Sequence, residues 1–452
     1  MKQATTLIAL GVLLTGWCAL HPGIQASDAI LRVPSEYATI ADAIADARTG
    51  DTVLIAPGTY TGPGNTDLMI EGKAIAVMSE AGADTCIIDA ETAGRCMTIQ
   101  YADDYPGVVV EGLTFRNGQA QDGGALYIER ADPRVRFCRF ETNAATAHGG
   151  AVLVAYAAPV FYGCRFTGNT AGYGGAMGVV GSDVNARGVL SDCVFHENAC
   201  QHHAGALRLI GSDIIVFNCI FTNNTAGEWS GAVFCSLYAF PDFIQCSFTG
   251  NSAPAYGCIA SKHFSNPGIV NSIIWGNSHS LAVMYTPNSP YSGYPSDMHI
   301  SYSDIQGGIT GCIVETSCVL DWGDGMLDTD PLHVDGPEGT LYLSHTAAGQ
   351  TVDSPCIDAG SDLSSNVCIS WPGVQHCIDE YTTRTDRIPD DAVADMGAHY
   401  TAVALPTATP TWTPSPTTTP SPGCSTMGCT IEMPYDEYNV GTTCYCRVHV
   451  CN

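Results

Sequence analysis

One block of sequence recurs between Leu113 and Asn277, and it constrains the fold more than anything else in the chain. It reads Cys138-Arg-Phe-Glu-Thr-Asn143 and then Gly149-Gly-Ala151. It returns as Cys164-Arg-Phe-Thr-Gly-Asn169 with Gly174-Gly-Ala176, and as Cys193-Val-Phe-His-Glu-Asn198 with Ala204-Gly-Ala206. Cys219-Ile-Phe-Thr-Asn-Asn224 with Ser230-Gly-Ala232 follows, then Cys246-Ser-Phe-Thr-Gly-Asn251 with Gly257. Shorter versions flank these at Leu113-Thr-Phe-Arg-Asn117 and Ser272-Ile-Ile-Trp-Gly-Asn277. From Leu113 through Cys138, Cys164, Cys193, Cys219 and Cys246 to Ser272 the steps are 25, 26, 29, 26, 27 and 26 residues. Such a period marks a solenoid.

Inside each block the apolar residues alternate with a period of two, as Cys138 and Phe140 do. A second alternation follows each glycine: Leu126/Ile128, Val152/Val154, Met177/Val179, Leu207/Leu209. Short runs of this period are strands. One coil of two or three strands cannot bury its own inner face, so the coils must stack. Like residues then form columns about 4.8 Å apart. The Cys, Phe and aliphatic columns predict a continuous core. The column Asn117, Asn143, Asn169, Asn198, Asn224, Asn251 and Asn277 predicts a corner of amides bonded from rung to rung. The glycines predict a second corner, where left-handed backbone costs little. The fold class expected is all-β, a parallel β-helix of roughly ten to twelve coils by this spacing.

The pairing of Phe-x-x-Asn with Gly-Gly-Ala resembles the repeats of polymorphic outer membrane proteins. More broadly the chain resembles bacterial secreted right-handed parallel β-helices of the pectin lyase-like class. Asp51-Thr-Val-Leu-Ile-Ala-Pro-Gly-Thr-Tyr60 is similar to the start of such helices. Asp328–His333, Ser354–Gly360 and Asp395-Met-Gly-Ala-His399 are similar to their closing segments. The resemblance specifies the fold and not a reaction.

Lys2 and the apolar run Leu7–Leu20 read as a signal peptide ending near Ala26. Export to the extracellular space or the cell surface follows, and with it an environment that permits disulfides. No second apolar run of the length needed to span a bilayer follows. The organisation expected is a signal peptide at 1–26, a β-helix at 27–404, a Pro/Thr/Ser-rich linker at 405–423 and a Cys-rich tail at 424–452. Thr39-Ile-Ala-Asp42 opens a short amphipathic helix, a plug for the first coil. The net charge is −28, from 45 acids against 17 bases. That balance argues against nucleic acid as a partner.

The Cys column reads as buried thiols that pack as small hydrophobes. Cys86/Cys96, Cys312/Cys318 and Cys368/Cys377 are the disulfide candidates.

Four sets of residues bear on function. His148, Tyr173, His203 and Trp229, with Asp122 and Tyr256, hold equivalent places before the repeat glycines. They read as an outward strip of rings that stack on sugars. Arg116, Arg130, Arg134, Arg136, Arg139 and Arg165 form a local basic face for a uronate or sulfate, or pair with Glu129, Asp132 and Glu141. Asp321-Trp-Gly-Asp324-Gly with Asp328 and Asp330 offers oxygens to calcium at a spacing unlike an EF-hand. No other cofactor signature is present. Asp103-Asp104 and Asp390-Asp391 read as solvated turn acids, and Asn65-Thr-Asp67 imitates part of a polygalacturonase motif without its companions.

The function expected is a non-catalytic module that binds a polysaccharide or cell-surface glycan. The alternatives are a polysaccharide lyase or glycoside hydrolase of the same class, and a structural stalk.

Overall fold

The computed structural model describes residues 29–102, 107–181, 187–285, 295–371 and 374–402. The signal peptide, linker, Cys-rich tail and Asp103-Asp104 lie outside these residues. The rest is a parallel β-helix of about 11 turns. Each coil passes through up to four stacked sheets of 12, 10, 5 and 10 strands, here A to D. One coil reads Arg134–Arg136 in sheet A, Arg139–Glu141 in B, Ala144–His148 in C and Val152–Ala155 in D.

The repeat explains the register. Phe115, Phe140, Phe166, Phe195, Phe221 and Phe248 are fully buried and stack ring on ring, with centroids 5.4, 4.8, 4.7, 4.6 and 4.6 Å apart. Each buried ring contributes about 2–3 kcal/mol from water exclusion. A slip of one residue would turn every ring to solvent. The Cys column lies beside them as fully buried thiols, each donating to a carbonyl of the preceding coil, as Cys164 Sγ does to Val135 O.

The Asn corner forms as expected, with one correction. Asn143 Nδ2 donates to Phe115 O and to Asn169 Oδ1, both at 3.0 Å, and the pattern continues through Asn198, Asn224, Asn251 and Asn277. Asn117 is not part of it. Gly118 N, one residue later, donates to Asn143 Oδ1, while Asn117 bonds Asp89. The first block is one residue shorter, so its Asn falls out of phase.

At the glycine corner the two glycines differ. Gly149 has φ +62°, a conformation Ala204 and Ser230 adopt in later coils. Gly150 is needed for closeness: a Cβ there would stand 2.1 Å from Gly175 O.

A helix, α1 (Ile40–Asp46), covers the first coil. Thr39 Oγ1 caps it by accepting from Asp42 N, and Ile40, Ala43 and Ile44 face the core. It ends at Asp46, before Gly50, where Lys73 Nζ donates to the carbonyls of Ile44 and Ala47.

Residues 333–402 leave the coil and return along the corner between sheets A and B. They form three antiparallel pairs, one closed by the disulfide Cys368–Cys377. The other two expected disulfides do not form: Cys86, Cys96, Cys312 and Cys318 are free thiols. Cys86 lies on a strand and Cys96 beneath the next, each facing the core rather than the other's sulfur. Among the described residues no helix is long and apolar enough to cross a membrane.

Candidate functional site

The returning segment docks on a column of polar residues. Asp192, Asn218, Gln245 and Asn271 each precede the Cys or Ser that opens a block, and all four have positive φ. A left-handed residue at a tight corner turns its side chain out of the core. Each side chain meets the strap. His376 Nε2 lies 3.0 Å from Asp192 Oδ2, and Tyr381 Oη bonds the same ring nitrogen. Asn218 Oδ1 accepts from His399 N at 2.6 Å, and its Nδ2 donates to His399 O at 3.0 Å. Gln245 Nε2 donates to Asp395 O at 2.8 Å, and Asn271 Oδ1 accepts from Ser361 N at 2.8 Å.

Asp390, Asp395 and His399 form the centre of this latch, with ligand atoms all within 4.8 Å of one another. Contrary to the sequence expectation, Asp390 is buried, and its Oδ2 lies 3.0 Å from His399 Nε2. Burial resists its charge most strongly. The His399 contact and the amides of Asp395 and Ala392 outweigh it, so Asp390 ionises below the usual carboxylate range. Burial dominates at Asp395 and raises it. This trio has the residue types of a metal site, but its atoms already satisfy one another and Thr383.

Between the strap and sheet B lies a cleft of about 380 Å³. One wall is a register row on the outer face of B: Thr167, His196, Thr222 and Thr249 on four successive coils. Arg165 lies on the same sheet, paired in register with Arg139 and Val194. The strap supplies Glu338, Tyr381, His399 and Tyr400. Burial raises the Tyr400 hydroxyl to about 12 and raises Tyr381 further, helped by the Asp192 charge. Both are therefore hydrogen-bonding phenols rather than bases at neutral pH. The two lining carboxylates are engaged. Asp192 accepts from Ser191, Asn218 and the His376 contact, and Glu338 accepts from Thr401 and pairs with Arg387.

The structure divides the predicted arginine face. Arg116, Arg139 and Arg165 belong to sheet B, Arg134 and Arg136 to sheet A, and Arg130 to the end of a sheet D strand. Their acids are not those expected. Arg116 pairs with Asp89 at 2.7 Å, Arg136 with Glu111 at 2.6 Å and Arg139 with Asp84. Stacking brings Asp89 and Glu111 from the previous coil and Asp84 from two coils back, whereas sequence proximity suggested Glu129, Asp132 and Glu141. Arg130 lies 5.9 Å from the rings of both Tyr101 and Tyr156. Of the sheet-B arginines, Arg165 alone has a side chain with no ion pair or hydrogen bond among the described residues.

His148, Tyr173, His203 and Trp229 are brought together on the sheet C corner, each half-buried. They stack on one another: His148 on Tyr173 at 5.6 Å, Tyr173 on His202 at 4.6 Å and His203 on Trp229 at 4.1 Å. Their faces are thereby occupied, and the corner shows ring edges. Tyr256 meets Trp229 edge-on. Glu228 joins the column, 2.8 Å from His202 Nδ1 and 3.2 Å from His203 Nε2. Burial pushes His203 down to about 4 in spite of Glu228. Two cations lie against the column. Arg208 stands 4.4 Å from the Tyr173 ring, and Lys262 Nζ stands 4.4 Å from the Trp229 ring.

The aspartates considered for calcium serve separate purposes. Asp321 pairs with His299, Asp328 accepts from Gly307 N and Asp330 from Leu332 N. Asn65 and Asp67 also accept backbone bonds, from Ile40 and Arg95.

Sequence reading missed the strap column, although four consecutive blocks carry a polar residue before the Cys or Ser. It also missed Arg208, whose register equivalents in neighbouring coils are Leu153, Gly178 and Phe234.

A family profile described as "Right handed beta helix region" matches residues 92–232. The fold is thus a right-handed parallel β-helix. Among solved structures, a pectate lyase, Pel9A, is similar at 14% identity and a TM-score of 0.47, over 84% of this chain and 98% of that one. The PL6 family alginate lyase AlyGC is similar at 12% identity and a TM-score of 0.35, over 74% of this chain and 58% of that one. No curated protein sequence matches the chain.

Proposed function

We propose that this chain is an exported β-helix protein that binds an acidic polysaccharide in the cleft between sheet B and the strap. The observation that carries the reading is Arg165. On a chain of net charge −28, its neighbours Arg116 and Arg139 have acid partners and it has none among the described residues. A guanidinium left open in a cleft fits a carboxylate or sulfate by its planar fork of donors. The Thr167–His196–Thr222–Thr249 row supplies hydroxyl and imidazole partners for sugar hydroxyls at each rung. The resemblance of the repeats to polymorphic outer membrane proteins agrees with a surface or extracellular setting.

A second reading is catalysis. Hydrolysis by paired carboxylates is not supported, because Asp192 and Glu338 are already bonded. Elimination from a uronate needs a cation on its carboxylate and a group to take the C5 proton, and Arg165 and His196 line one cleft. A glycan array followed by product analysis separates the readings. Binding of acidic glycans that Arg165→Ala weakens at least tenfold, with no new ends, supports the binding module. Unsaturated uronate products transfer the cleft to the lyase reading, and unchanged affinity in Arg165→Ala removes the cleft.

A further inference from the structure

Of the arginines that lie against tyrosines along sheet D and its corner, Arg95 and Arg208 differ in one respect. Arg95 stands 5.1 Å from the Tyr127 ring, and its guanidinium donates to Gly123 O, Asp122 O and Thr98 Oγ1. Arg208 stands 4.4 Å from the Tyr173 ring, and its Nε is buried with no acceptor. Among the described residues its guanidinium makes no hydrogen bond or ion pair. The acids of this corner are engaged: Asp122 with His148, Glu228 with His202 and His203, and Glu315, near Lys262, with Tyr285 N. An arginine carries five donors in a fixed fork, and leaving even the Nε donor unmet away from bulk water is unfavourable.

The local structure explains why Arg208 sits there. Its strand, Leu207–Ile210, alternates inward Leu207 and Leu209 with outward Arg208 and Ile210. The register neighbour below is Gly178, which offers no side chain, and the one above is Phe234. The guanidinium can therefore lie down on Tyr173. Two coils further on, Lys262 is buried against Trp229, also without an ion pair or hydrogen bond among the described residues. By the strand spacing the two cations stand about 10 Å apart along the axis.

We propose that Arg208 is the anion-reading residue of the aromatic corner, taking the carboxylate or sulfate of an acidic sugar whose ring rests on the exposed edges of the column. Lys262 takes the next charge along the chain. The ligand class rests on the reading above, whereas the site is separate from the cleft. An anion on Arg208 would supply the acceptors that Arg95 finds in the carbonyls of Asp122 and Gly123 and the Thr98 hydroxyl, and the Tyr173 ring would hold the fork in plane.

The test uses wild-type protein, Arg208→Gln and Arg208→Lys, each checked for fold by circular dichroism. Calorimetric titrations use dextran sulfate, oligogalacturonate and neutral dextran at low ionic strength. Inorganic sulfate is titrated separately while the arginine side-chain NMR signals are followed. Arg208→Gln should lose at least tenfold in affinity for one charged glycan and flatten its salt dependence, with Arg208→Lys in between and neutral dextran unaffected. The preferred charged glycan tells sulfate from carboxylate. Sulfate should shift the wild-type Arg208 signal. If that signal stays still, or Arg208→Gln binds charged glycans as the wild type does, Arg208 is a packing residue and the proposal falls. A sulfate response without glycan binding upholds the anion site and overturns the polysaccharide reading.

Discussion

Between Leu113 and Asn277 the stabilising contacts recur coil after coil, whereas between residues 333 and 402 each is made once. The array rests on stacked like residues: rings on rings, amides on amides, thiols beneath carbonyls. The strap rests on unlike pairs far apart in sequence, such as Asn218 with His399, 181 positions on, and Asp192 with His376, 184 on. A repeated contact fails locally and is supported by its neighbours. A contact made once has no substitute. The array should therefore behave as a cooperative stack, and the strap as a unit that can open without it.

The hardest test of that contrast is Phe166→Asp. It places a carboxylate between two stacked rings with no cation within the core, at a cost beyond about 5 kcal/mol. The whole array should unfold together, read as loss of strand signal in circular dichroism. A native melting temperature would mean that the phenylalanines do not form the core.

His399→Ala attacks the strap instead. It takes the imidazole from buried Asp390 and leaves only the amides of Asp395 and Ala392 to hold its charge, at about 3 kcal/mol. Hydrogen exchange should quicken across 356–400 while strands such as Val194–His196 stay protected. Equal loss of protection in both regions would erase the distinction drawn above.

A third comparison uses pH at the junction of the two regions. Asp304, in the last strand of sheet B, is fully buried and accepts from Thr329 N and from the strap's Cys356 Sγ. Burial raises it to about 6, above the unfolded value near 3.9. The native state therefore holds the proton more tightly. Its contribution is full below about pH 4 and is lost as pH rises through about 6, by roughly 3 kcal/mol. Asp304→Asn should match the wild type at pH 4 and be the more stable at pH 7 in paired denaturant titrations. A wild-type advantage at pH 7 would refute the raised value.

The smallest effect is expected from Asn198→Ala, at about 1–2 kcal/mol. It removes one amide from a corner where Asn198 Nδ2 donates to Phe166 O and Asn224 Oδ1. Asn169 loses Asn198 Oδ1 as an acceptor, but the rungs beyond keep their bonds, so the melt should stay cooperative. A loss under about 0.5 kcal/mol, the usual size of a surface change, would show that the ladder adds nothing beyond ordinary turn residues.

The sequence by itself determined the coil, its period and its inner columns. Phe140, Cys164 and Asn198 could be placed because each is repeated, and a parallel stack sets every residue against its own equivalent. Even the misplaced Asn117 shows this, since its error is a single residue of phase. Only the tertiary structure decided the cleft, the latch and the state of the arginines. Arg165, Arg139 and Arg208 are alike in sequence. Whether each meets an acid depends on what the earlier coils or the returning strap carry past it. Those encounters have no period, so nothing in the repeat foretells that Arg139 finds Asp84 while Arg208 is left facing Tyr173.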